Sequence, residues 1–291
     1  MFIFLFYYRE HSLLLTSHGE VLFMGFSMAT QKSTLMRLNL PAQSPTGRPS
    51  RVWATGPLSC CLRCNQSCPC WPHWSEFVLS EQLFLRNCLK VVRGIFDHLE
   101  SSTSPSTTSA IRRELFDRYR DLMACTAVNV HSLIESDNCD NLSIGLVRWI
   151  NEFMHVWRTY GQALCNATVV HALALNKSEN ALLDPEYIQQ GSVGRAGSDI
   201  LTTLMNEPLG RLKDYSSHLG KLIESHLQRN DKNIDCYKHA SQQCLNIAAD
   251  LMQDCRTADL TKSFWESCST KLTGIFFSSK LIDPEFNKKN R

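Results

Sequence analysis

From about Ser75 to Thr270, apolar residues recur at steps of three and four through one stretch after another. That spacing stacks them on single helical faces, so the periodicity restricts the chain to a helical architecture. The first stretch, about Ser75 to Glu100, aligns Phe84/Leu85, Cys88/Leu89, Val92, Ile95/Phe96 and Leu99, and the Ser/Thr-rich segment 101–109 with Pro105 ends it. The second, about Ala110 to Glu135, aligns Ile111, Leu115, Tyr119, Leu122, Thr126 and Val130, and a turn over Asp137–Asp140 follows. The third, about Leu142 to Leu175, is the most aromatic, with Trp149, Phe153, Trp157 and Tyr160. Residues 177–198, with Pro185, Gly191, Gly194 and Gly197, read as a long loop. The fourth stretch runs from Asp199 to about Leu227, where Pro208 is expected to kink or reset the helix. After the polar run Gln228–Asn233, the fifth covers about Ile234 to Thr270. No β-branched run of period two appears, so the fold class expected is all-α, an elongated helical bundle.

The first 75 residues differ. They carry no sustained helical period, and Pro41, Pro45, Pro49 and Pro57 interrupt regular structure. Residues 1–75 are therefore expected to be a disordered or alternative Cys/Pro-rich leader. The apolar run 1–8 is stopped by Arg9, Glu10 and His11 and falls far short of the ~20 residues a span requires. Neither a targeting signal nor a transmembrane segment is expected.

A net charge of +2, with basic and acidic residues interspersed, gives no electrostatic reason to expect nucleic acid as partner. Of the 13 cysteines, Cys60, Cys61, Cys64, Cys68 and Cys70 crowd into one segment. The spacing Cys61-x2-Cys64-x3-Cys68-x-Cys70-x2-His73 offers thiolate and imidazole ligands suited to zinc. Paired knuckles separated by a loop are missing, however, and Pro69 and Pro72 stiffen the backbone, so no metal site is expected. The remaining cysteines sit singly on amphipathic stretches, as core hydrophobes of a protein in a reducing cytosol do. The Asn-x-Ser/Thr triplets at Asn65, Asn141, Asn166 and Asn176 are read as chance. No phosphate loop, Gly-x-Ser-x-Gly elbow or His-Glu-x-x-His occurs, and His131, His155, His218 and His226 lie at ordinary helical spacings. Neither covalent chemistry nor a cofactor is expected.

One segment exceeds what core packing demands. Met205–Leu222 reads Pro-Leu-x-Arg-Leu-x-x-Tyr-x-x-x-Leu-x-x-Leu from Pro208 onward, and a core-facing helix explains its leucines but not its Pro, Arg and Tyr. That pattern resembles the third conserved region of Dbl-homology exchange factors. In the same order, Glu81-x-x-Phe84-Leu85-x-x-Cys88 resembles the first conserved region, and Leu115-Phe116-x-x-Tyr119-x-x-Leu122 the start of the second helix. Met154-His155-Val156-Trp157-x-x-Tyr160 resembles the second conserved region. Ser263-Phe264-Trp265-Glu266-Ser267-x4-Lys271-Leu272-Thr273 resembles the junction that follows the domain in alsin-like proteins.

The resemblance implies a Dbl-homology domain over 76–270 and a tail 271–291 at the start of a missing pleckstrin-homology region, as in a fragment or short isoform. It implies a cytoplasmic regulator, recruited to endosomes or other membranes, that binds a Rho/Rac-family small GTPase and helps expel its nucleotide. Such a factor favours the nucleotide-free partner, and an acceleration of about 10⁴-fold asks for roughly 5–6 kcal/mol of preference. The GTPase-binding residues implied are Glu81, Leu85, Arg211, Asp214, Tyr215 and Met252, with Glu81 engaging the first switch segment. The chain departs from the family at Glu207, Gly210, Asp214 and Met252, where lysine, glutamine, a basic residue and asparagine are usual. Reversing a contact charge weakens an interface. The alternative is therefore a catalytically weak domain of this fold that serves as a GTPase-binding, scaffold or homo-oligomerisation module.

Overall fold

The computed structural model describes residues 2–8, 11–16, 21–26, 33–38, 71–102, 107–135, 139–176, 179, 197–227 and 234–281. Helix α1 spans Trp71–Val91, passes through a single π turn at Val92–Phe96 and continues as the short α2, Asp97–Ser102. Then come α3 (Thr107–Glu135), α4 (Cys139–Val169), α5 (Gly197–Leu227) and α6 (Ile234–Leu281). Helix α4 is central and touches α1, α3, α5 and α6, while α5 and α6 pack along each other. The stripes of the first four stretches form the core: Leu85, Cys88, Val92, Ile95, Phe96, Leu115, Leu122, Trp149, Phe153, Trp157, Tyr160, Leu212, Tyr215, Leu219 and Leu222 are all buried. Each large side chain so buried contributes about 1.5–3 kcal/mol. Leu245, Leu260, Phe264 and Trp265 of the fifth stretch, expected on its apolar face, are instead exposed.

The amino-terminal segment departs from expectation. Strands β1 (Phe2–Tyr8), β2 (His11–Thr16), β3 (Val21–Phe26) and β4 (Ser33–Leu38) form an antiparallel meander in chain order. Phe4 pairs with Leu15, Leu13 with Phe23 and Phe23 with Met36. The helical expectation holds for the described residues from 71 onward, whereas residues 2–38, expected to belong to a disordered or alternative leader, include four strands. Runs of six or seven residues rich in Phe, Leu, Ile, Val and Tyr, parted by short polar breaks, satisfy a meander without strict alternation. The sheet lies against α3. The cysteine-rich remainder of the leader, including Cys60, Cys61, Cys64, Cys68 and Cys70, lies outside the described residues, as do most of the expected loop 177–198 and the end of the tail.

Three local features position the rest. Helix α5 runs through Pro208 without ending. Pro208 removes one N–H from the ladder, and α4 grips the helix around it: Trp157 Nε1 donates to the Pro208 carbonyl at 3.3 Å, and the Tyr160 hydroxyl donates to that of Met205. Helix α4 stops at Val169, short of the expected Leu175, where His171 takes a positive φ of 57°. The chain beyond is held by Arg112 of α3, which donates to the carbonyls of Ala172 (2.6 Å) and Ala174 (3.1 Å) and pairs with Glu179 at 2.6 Å. Helix α6, expected to end near Thr270, continues to Leu281.

Candidate functional site

Three helices converge on the Glu81 carboxylate. Helix α1 supplies Ser80 and Glu81, α3 supplies Asn129, and α5 supplies Arg211, Asp214 and Tyr215 at positions that share one helical face. Glu81 is fully buried and pairs with the Arg211 guanidinium. Its second oxygen accepts from Asn129 Nδ2 at 2.8 Å and from the Tyr215 hydroxyl at 3.3 Å. Arg211 also donates to Ser80 Oγ (3.1 Å) and to Asp214 Oδ2 (2.9 Å), and its charge lies over the rings of Phe84 and Tyr215, each 5.3 Å away. Burial works against the arginine's charge, but the Glu81 carboxylate and then the Tyr215 hydroxyl more than offset it, so its pKa lies above the ordinary value. Burial, followed by the Glu81 charge, raises the Tyr215 phenol well above its usual range.

Beside this cluster a recess opens between α1 and α5, lined among others by Glu76, Ser80, Arg211, Asp214, His218 and Lys221. Opposite charges alternate around it, with Lys221 3.7 Å from Glu76. His218 is buried between Phe77, stacked at 4.0 Å, and Trp74 at 4.7 Å. Burial, with nearby His73, Lys221 and Arg211, lowers its pKa from 6.5 to about 3, so it is neutral near pH 7. Deeper in, burial pushes the Cys88 thiol up to about 12, an inert core thiol. Within the cluster, carboxylate and guanidinium neutralise each other, an arrangement suited to holding helices and presenting a mixed-charge rim.

The structure therefore brings Glu81, Arg211, Asp214 and Tyr215 together. Glu81, Leu85 and Tyr215 lie in the interior, Arg211 at its margin, and Asp214 at the surface. Met252 stands apart on α6, 37% exposed, beside Leu251, whose side chain packs on Gly161 of α4. The junction-like motif falls within α6, with Phe264 and Trp265 exposed. Sequence reasoning missed Asn129 and Ser80. The available signal was a buried amide one residue before Val130 on the apolar stripe of the second stretch, since a buried amide needs a polar partner.

Among the described residues no group of three or more His, Cys, Asp or Glu side chains is placed to hold a metal ion, and no helix is long and apolar enough to cross a membrane. Together these features define the chain at the level of a helical bundle with a buried ion-pair node. No protein-family model matches it, and no curated protein or solved structure matches it either.

Proposed function

We propose that the helical body is a protein-docking module of Dbl-homology type that binds a Rho/Rac-type small GTPase, with little power to expel its nucleotide. The observation that carries this reading is the burial of Glu81. Its carboxylate is spent on Arg211, Tyr215 and Asn129, so engaging a switch segment requires breaking three internal interactions. Opening such a pair leaves a buried charge unmatched, at a cost of about 3–5 kcal/mol. That is comparable to the whole preference an efficient exchange factor must supply. The docking residues are Asp214 at the rim of the α1–α5 recess and, apart from it, the exposed Met252 of α6, both among the contacts that the resemblance implies. A link to endosomal membranes follows from the alsin-like junction motif alone.

A second reading, active exchange on a Rho/Rac GTPase, is favoured by four motif-bearing segments falling in order on α1, α3, α4 and α5. One experiment separates the two. The full chain is tested for capture of nucleotide-free Rho, Rac and related GTPases and for release of labelled GDP from each. The proposal expects capture without acceleration. Release faster by a hundredfold or more, lost in a Glu81→Gln variant with an unchanged circular dichroism spectrum, would establish the exchange reading. Absence of both capture and release across the panel would remove the GTPase from either reading.

A further inference from the structure

We infer that Cys165 of α4 and Cys255 of α6 are a redox site: a dithiol that closes to a reversible disulfide and staples the two helices. This inference stands apart from the proposed function. The two Sγ atoms lie 3.9 Å apart, and both residues are partly exposed, unlike the buried Cys88, Cys125 and Cys244. The approach is built into the helices one turn earlier. Gly161 lies four residues before Cys165 and Leu251 four before Cys255, and a Cβ on Gly161 would come within 2.3 Å of Leu251 Cδ2. Since i and i+4 share a helical face, the close approach at Gly161 carries forward to the cysteines. Just past the end of α4, His171 meets Glu266 of α6 at 3.6 Å, in line with the same parallel run. Beside Cys165 a recess lined by Gln162, Asn166, Asp254, Thr257 and Thr261 opens to solvent, which admits a small oxidant.

The two thiols share one hydrogen bond, and with Cys165 as its donor the Cys255 thiolate is favoured against the opposing effects of burial, Asp259 and Asp254. Cys255 is taken as the nucleophile, and the same balance holds with the two roles exchanged. With a hydroperoxide as oxidant, the Cys255 thiolate attacks one peroxide oxygen. An S–O bond forms, the O–O bond breaks, and the departing hydroxide takes a proton and leaves as water (as an alcohol from an alkyl peroxide). Cys165 then attacks Cys255 Sγ. An S–S bond forms, the S–O bond breaks, and the sulfenic hydroxyl leaves as water with the Cys165 proton. A thiol reductant reverses the change by exchange. The bond would tie α6 to α4 just before α6 carries its exposed Leu260, Phe264 and Trp265 past Ala258, the last buried side chain of α6 among the described residues.

The reduced full-length chain is treated with hydrogen peroxide, blocked with an alkylating reagent, digested and mapped by mass spectrometry. The expected product is a linked pair of peptides joining Cys165 to Cys255, abolished by dithiothreitol. A Tm higher than that of the reduced protein by about 5 °C or more should accompany it. Cys165→Ser and Cys255→Ser should each lose the link and the Tm rise. Peptide mapping of the wild-type chain decides the matter even if a variant fails to fold. Both thiols recovered as alkylated, either one joined instead to another cysteine, or over-oxidation of Cys255 without a link would overturn the inference.

Discussion

Glu81 and Arg211 illustrate how a single pair can fix three helices and also limit what they do. Helix α1 contributes the carboxylate, α5 the guanidinium and hydroxyl, and α3 the amide that binds the remaining lone pair. Glu81→Ala is expected to lower stability by about 3–5 kcal/mol, because it takes from Arg211 its buried counter-charge and leaves Ser80 and the exposed Asp214 as partners. Adding Arg211→Met should recover most of that loss, and urea denaturation of the single and double variants measures the coupling. If Arg211→Met deepened the loss by its full single-variant cost, the pair would not be the unit described. His218 gives a second residue-scale prediction with a definite sign. Its folded pKa is near 3 and its ordinary value 6.5, so between these the unfolded chain binds a proton that the folded one refuses. Stability is therefore lost as pH falls below about 6.5, by about 2 kcal/mol between pH 7 and pH 5. His218→Leu should flatten that part of the profile, and denaturation at the two pH values tests it.

At the scale of elements, the contact of α4 with α6 depends on Gly161. A methyl group there meets both the Cδ2 and Cγ atoms of Leu251, at 2.3 and 3.2 Å, so the helices must separate or the leucine must move. Gly161→Ala is expected to cost about 1–3 kcal/mol, and pairing it with Leu251→Ala should relieve the overpacking while leaving the cost of the lost leucine. Thermal melts of the variants check both, and the Cys165–Cys255 link should form more slowly in Gly161→Ala. The helices themselves were legible in the sequence because burial imposes one period on many residues. Stretches two, four and five each matched at one end, at Glu135, Leu227 and Ile234. Pro208 misled by local rule, since partners on α4 bind the carbonyls around it and a lone sequence does not show them. The strands were missed for a related reason. Leu13, Leu14 and Leu15 form an apolar block whose facing residues become known only when the register is known. For the site, residue identity was legible but depth was not: the spacing that puts Glu81 on a helix face is the same whether that face meets solvent or Arg211.

At the scale of the whole molecule, the question is where a partner meets a body whose most distinctive charges are turned inward. Two of the accessible side chains belong to the proposed docking set, Asp214 at the rim of the recess and Met252 on α6. Their environments predict different behaviour. Asp214 is 58% exposed, so its influence on association is electrostatic and screened by salt. Asp214→Lys should therefore change capture of a Rho/Rac-type GTPase severalfold at low ionic strength and much less at high. Met252 acts by apolar contact, and Met252→Ala should weaken capture by a similar factor at both ionic strengths. Met252 is accessible and outside the ion-pair cluster, so Met252→Ala should stay within about 0.5 kcal/mol of the parent in stability. Asp214→Lys sets a like charge beside Arg211, and measuring its stability alongside capture separates lost docking from lost folding. Titrations of the GTPase onto each immobilised variant at two salt concentrations provide the measurement. Capture unchanged by either substitution would place the docking surface on another part of the bundle, while loss of capture together with stability would show that these side chains support the fold rather than the interface.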